Sequence, residues 1–163
     1  ELFLYHEDTD LSLRLKLRGW RVVIAPESDF FHKYEFKRSR TKFYWMLRNQ
    51  LVLFFTIPKI PTILLLLPMQ SAYCLGVLFF SVRNGFFREA LRALSYFTRL
   101  STWRYLIGRR HLIQPGRQLT DRQLFEKAKS RIVFQDTSNW VLDYLGNPMM
   151  AFWWRLVYPL IRW

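Results

Sequence analysis

The chain has 163 residues, enough for one domain or part of one, and a formal net charge of +13 from 25 Lys and Arg against 12 Asp and Glu. Hydrophobic residues make up 51% and aromatic residues 18%, which argues against disorder and against a polar nucleic-acid-binding chain and points to the surface of an anionic membrane. The single cysteine, Cys74, lies in an apolar run, which excludes a disulfide framework or a cysteine metal site and reads as a buried, inert thiol.

The chain begins at Glu1 without Met or signal peptide, and Leu2-Phe3-Leu4-Tyr5 reads as the end of a buried strand, so a fragment is expected. Glu7-Asp8-Thr9-Asp10 follows, with three carboxylates in four residues. Next, Leu11, Leu13, Leu15 and Leu17 alternate with polar residues, a strand-like period. Nothing from Leu11 to Arg18 is β-branched, however, and Asp8, Thr9 and Asp10 all suit an N-cap, while Gly19 suits a helix stop. A helix from Asp10 to Arg18 is predicted. Trp20 to Ala25 reads as a short strand ended by Pro26, and Phe30-Phe31-His32 as a second strand end.

Charge changes near residue 36. Seven of the twelve acids lie in residues 1–35, whereas residues 36–120 hold only Glu89. Lys33, Lys37, Arg38, Arg40, Lys42 and Arg48, with Phe43, Tyr44 and Trp45 among them, predict an amphipathic helix at a membrane surface. Residues 60–82 are 23 uncharged residues, against the ~20 needed to span a bilayer. Pro58, Pro61 and Pro68 interrupt that region, and both flanks are basic, which favours a hairpin turning near Pro68 over a single crossing.

From Arg83 to Arg110, Phe86, Leu91, Leu94, Phe97 and Trp103 recur at helical spacings with Arg88, Arg92, Arg99 and Arg104 interleaved, predicting interfacial helices. Gln114-Pro115-Gly116 is a turn, and Thr120-Asp121-Arg122-Gln123 a capping box opening a helix to about Lys129. Arg131 to Gln135 reads as a short strand, and Phe152, Trp153, Trp154, Tyr158 and Trp163 suit an aromatic belt.

For chemistry, the acidic cluster has two readings. One is an acidic helix start, aided by the helix dipole; the other is a general base presented at a strand-to-helix junction. An isolated His32 after two Phe is ordinarily a packed or surface residue, His6 is incidental, and His111 has no supporting partners. The run Leu4-Tyr5-His6-Glu7-Asp8-Thr9-Asp10-Leu11-Ser12-Leu13-Arg14-Leu15, then Gly19-Trp20-Arg21-Val22, Pro26 and Phe31-His32, closely resembles the second half of the catalytic domain of family 2 glycosyltransferases, which have the GT-A fold. Arg48-Asn49 before an apolar segment also fits bacterial membrane-associated members. The likeness is specific over residues 2–50 and looser beyond.

That resemblance implies an α/β remnant of a GT-A domain in residues 1–49, followed by a mainly α-helical, membrane-associated region. The latter divides into an apolar membrane segment, 50–82, and a basic amphipathic region, 83–163. Asp8 is then the catalytic base, with Glu7 orienting the acceptor or supporting Asp8. Asp10 is structural, as a helix cap, and Arg14 pairs with one of the acids. His32 becomes a ligand of a divalent metal, Mg or Mn, that stabilises the diphosphate leaving group. Arg48 is a substrate-binding residue for diphosphate or an anionic lipid acceptor, while Lys33, Arg38 and Arg40 form a face against lipid headgroups.

The implied partners are a nucleotide-sugar donor, a glycan or lipid-linked acceptor and anionic membrane lipids, with no nucleic acid, at the cytoplasmic face of the cytoplasmic membrane. The family's nucleotide-binding half, with its Asp-X-Asp metal motif, would lie before Glu1. The Gln-X-X-Arg-Trp motif of processive synthases is missing, since Gln50 is followed by Leu51-Val52-Leu53, which favours transfer of single sugars. The rival readings are a non-catalytic basic membrane anchor and a nucleic-acid-binding segment using the arginines after residue 83.

Overall fold

The structure, a computed structural model, describes residues 2, 4–29, 31, 39–132 and 140–163. Helices α1 (Glu7–Leu17), α2 (Arg40–Thr56), α3 (Ile60–Arg83), α4 (Phe87–Ser95), α5 (Leu100–Ile113), α6 (Asp121–Leu124) and α7 (Asn147–Val157) follow in chain order. A 3-10 turn, Tyr96–Thr98, joins α4 to α5, and a π-helical stretch, Leu142–Gly146, leads into α7.

Among the described residues there is no strand, which corrects the α/β expectation for residues 1–49. Residues 20–25 carry no regular structure, and Val23 and Ile24 are 78% and 90% exposed. β-branched residues favour a strand where a sheet receives them, and no neighbouring strand is present here among the described residues. Leu4 to His6 is likewise a bend and not a strand end. The expected strand ends at residues 30–32 and 131–135 fall largely outside the described residues.

Helix α1 begins three residues before the predicted start, at Glu7. Its acids, Glu7, Asp8 and Asp10, occupy the first turn and Arg14 and Lys16 the last, which complements the helix dipole at both ends. Gly19 stops it at φ +80°: its N–H reaches the Lys16 carbonyl at 2.9 Å, and the Trp20 N–H reaches that of Leu15 at 3.0 Å. This is the two-bond closure that a left-handed glycine permits.

Helix α2 is the hub of the fold rather than a surface helix. Its Leu47 and Leu51 pack on Ala90 and Ala93 of α4, and the two alanines, with no exposed surface, let the helix backbones approach closely. Further along, Leu53 and the following Ile57 join Leu17 of α1 and Ile113 of α5 in a second core. Its start is capped by Ser39, whose Oγ accepts the Lys42 N–H at 3.1 Å.

Helix α3 runs unbroken through Pro68, so the chain does not turn there. At ~1.5 Å per residue it is roughly 36 Å long, sufficient for a hydrocarbon core of ~30 Å. Of its most apolar 18-residue window, 11% is buried, and Ile60, Leu64, Leu67, Leu75, Phe79 and Val82 form an exposed apolar face. Pro68 removes the partner of the Leu64 carbonyl and crowds the turn before it. Beside that gap the indole Nε1 of Trp153, from α7, donates to the Leu65 carbonyl at 2.9 Å, the kind of support from a neighbouring helix that lets proline sit within an apolar helix.

The capping box at Thr120 forms in both directions: the Gln123 N–H reaches Thr120 Oγ1 at 3.2 Å, and the Thr120 N–H reaches Gln123 Oε1 at 2.9 Å. The helix it opens ends at Leu124, well short of Lys129.

Candidate functional site

The acidic cluster leaves a backbone turn of unusual conformation. Tyr5 and His6, consecutive non-glycine residues, have φ of 63° and 64°, a left-handed region costing about 1–3 kcal/mol per residue. The buried Asn49 of α2 holds the turn. Its Nδ2 donates to the carbonyls of Leu4 at 2.7 Å and Tyr5 at 2.9 Å, while its Oδ1 accepts Arg48 Nη1 at 3.0 Å. Arg48-Asn49 and the run before Glu7 are therefore neighbours in the fold, although more than forty residues of sequence lie between them.

Glu7 and Asp8 emerge from this turn at the exposed N-terminus of α1. Asp8 Oδ1 accepts the Thr9 N–H at 2.7 Å, one of the donors the helix start leaves open. Oδ2 has no partner among the described residues, so the carboxylate is fixed through one oxygen and open at the other. His6 precedes the pair as N-cap residue without a side-chain cap bond. Burial pulls its imidazole below the usual histidine value, opposed in part by the negative charge of Asp8 and Glu7.

Asp10 does not cap the helix. It lies inside the first turn, 5% exposed, and accepts Arg14 Nε at 3.0 Å on Oδ2 and Arg109 Nη2 of α5 on Oδ1. The carboxylate thus binds α1 to α5 through two cations. Helix geometry puts Asp10 and Arg14 on one face, but α5 supplies the second cation from far along the chain.

Arg48 is buried, with its guanidinium over the rings of Tyr96 at 4.4 Å and Trp45 at 4.9 Å. Nη2 donates to the Tyr96 hydroxyl at 3.1 Å, and Nε has no hydrogen-bond partner. These contacts lie within the protein. They fasten α2 to the 3-10 turn and orient Asn49.

A second polar centre lies at the joint between α2 and α3. Asp121, with no exposed surface, pairs with Arg117 and accepts the Lys59 N–H at 2.8 Å and the Thr62 hydroxyl. Trp163 Nε1 donates to the same hydroxyl oxygen at 2.6 Å. On the other side of the α2–α3 joint, Arg110 Nη1 donates to the carbonyls of Phe55 at 2.9 Å and Pro58 at 2.7 Å. Gln114 Nε2 serves those of Thr56 at 3.0 Å and Ile57 at 2.9 Å. Side chains from residues 110–121 thereby satisfy the end of α2 and the start of α3. The sequence signal was Asp121 inside a capping box, which reads as a surface acid.

His32, read as a metal ligand, lies outside the described residues. Among the described residues no three His, Cys, Asp or Glu side chains gather as a metal-binding group. The chain matches no family model, no curated protein and no solved structure.

Proposed function

We propose that the chain is the acceptor-side, membrane-associated part of an inverting glycosyltransferase, resembling family 2 enzymes, that moves a sugar from a nucleotide-sugar donor to a glycan or lipid-linked acceptor. Cell-envelope or surface-polysaccharide synthesis at the cytoplasmic membrane face is its setting. One observation carries the reading: Asn49 clamps the carbonyls of Leu4 and Tyr5. The two stretches that bear the resemblance thus meet at the turn ending on Glu7-Asp8. A strained turn held by a buried amide suits a group whose position matters.

In this reading Asp8 is the general base. Its open Oδ2 takes the proton of an acceptor hydroxyl lying about 2.6–3.2 Å away. The acceptor oxygen attacks the anomeric carbon as the bond to the nucleoside diphosphate breaks, the leaving group keeps the electron pair, and configuration inverts. Glu7 orients the acceptor, and Arg48 holds Asn49. A divalent metal, Mg or Mn, would stabilise the leaving diphosphate, with its ligands, His32 included, outside the described residues. The apolar face of α3 supports the membrane setting.

A second reading, a non-catalytic basic membrane anchor, draws support from that same face and from the purely structural use of Asp10. Asp8→Asn in the full enzyme separates the two. Loss of a general base lowers sugar transfer by about 10²–10⁴-fold with unchanged circular dichroism. Transfer near the parental rate would rule out Asp8 as base and leave the anchor.

A further inference from the structure

Between α7 and the segment before it lies an open cleft of about 520 Å³, within the range of small-ligand sites. Ala128, Lys129, Ser130 and Arg131 form one wall, and Ala151, Trp154 and Arg155 the other. The first wall is fixed in place. The buried Asn147, at the start of α7, accepts the Ile132 N–H at 2.8 Å and donates to the Ile132 carbonyl at 3.1 Å. The second wall is equally constrained, because the Trp154 ring stacks on Tyr158 at 5.0 Å and meets Phe125 edge-on at 6.1 Å.

Lys129, Arg131 and Arg155 bring three positive charges to this cleft, and none has an ion pair or hydrogen bond from its side chain among the described residues. No described lining residue is acidic. Like charges gathered without a counter-charge make an electrostatic site for an anion. What surrounds the cleft narrows the choice of anion. Leu145, Met149, Phe152, Leu156 and Leu160 are exposed at three- and four-residue spacings, an apolar stripe along α7 and its ends. Arg155 is about 60° round the helix from Phe152, at the stripe's edge, and its stem can lie along the stripe while its charge reaches the cleft. Helix α7 also packs on α3, the helix of membrane-spanning length.

From this arrangement we infer that the cleft holds the phosphate-bearing headgroup of an anionic phospholipid, with the α7 stripe in the acyl boundary beside it. Lys129, Arg131 and Arg155 meet the phosphate, and Ser130 offers a hydroxyl to it. The inference rests on the membrane part of the proposed function and is independent of Asp8.

Native mass spectrometry of the full chain in detergent tests it, with phosphatidylglycerol, phosphatidylcholine and glycerol phosphate as probes. Phosphatidylglycerol is expected to be retained in preference to phosphatidylcholine, and millimolar glycerol phosphate should not displace it. With each basic side chain near a lipid surface supplying about a twelfth of the free energy of nanomolar binding, replacing Lys129, Arg131 and Arg155 by Gln should lower that preference on the order of a hundredfold. Replacing the exposed Arg83, Arg88 and Arg104 by Gln removes the same charge elsewhere and should preserve it. Equal retention of the two lipids, equal loss in both triple variants, or efficient displacement by glycerol phosphate would each overturn the inference. Asp8→Asn should keep the lipid preference, so failure of the base assignment appears in sugar transfer and failure of the cleft in lipid retention.

Discussion

Oδ2 of Asp121 accepts the backbone N–H of Lys59 at 2.8 Å, across 62 positions of sequence. Lys59 supplies no side-chain cap to α3, so a buried carboxylate from another helix takes that role. The same residue donates its own N–H to the carbonyl of Trp163. The start of the membrane-length helix and the aromatic end of the chain are therefore joined through Asp121, the latter by its backbone N–H and the former by its side chain. Removing it strands Arg117, whose side chain is 5% exposed. Asp121→Ala should cost about 3–5 kcal/mol, read by chemical unfolding in detergent, and Asp121→Asn should cost less because an acceptor oxygen remains. A loss near zero for the alanine variant would contradict the arrangement.

Asn49 is the corresponding residue for the turn before α1. Its amide donates to two carbonyls of that turn, those of Leu4 and Tyr5. Asn49→Ala should destabilise by about 1–3 kcal/mol and speed hydrogen exchange at the amides around Tyr5 to Asp8. If exchange there stays at the parental rate, the turn is held by something else.

The end of α1 offers a local test. Gly19 has φ +80°, and an added Cβ would run into the Gln118 amide oxygen. Gly19→Ala should therefore cost at least the roughly 1–2 kcal/mol of a left-handed side chain. The exposed Gln118 side chain can swing aside, so the backbone cost dominates and the penalty in a Gln118→Ala background should be nearly the same in thermal unfolding.

His6 makes stability depend on pH. Burial holds its folded-state value below the ordinary 6.5, despite the opposing charges of Asp8 and Glu7. The unfolded chain then binds the proton more readily, so this contribution is complete above pH 6.5 and is lost as pH falls through the lower folded value. Unfolding free energy measured from pH 8 to pH 5 should decline less in His6→Gln than in the parent. Parallel profiles would remove His6 from the balance.

Several of these features could be read directly from residue types. Gly19 as a helix stop and Thr120 with Gln123 as a capping box were legible because both devices act within four residues of themselves. Residues 20–25 misled for the opposite reason. Val22, Val23 and Ile24 have strand-forming side chains, but a strand requires a partner, and the described residues provide none. The candidate site was legible in part: Asp8 and Glu7 stood out as an acidic cluster, whereas Asn49 looked like an ordinary polar residue after Arg48.

By itself the sequence determined the stop of α1 at Gly19, the capping box at Thr120, and an apolar stretch of membrane-spanning length at residues 60–82, since these follow from spacing and side-chain type. The roles of Asp10, Asn49 and Asp121 were decided by tertiary structure. Asp10 bridges Arg14 and Arg109, Asn49 secures Leu4 and Tyr5, and Asp121 joins Lys59, Thr62 and Arg117. A polar group is stable in the interior only when its partners are already there, and most of those partners come from positions distant in sequence.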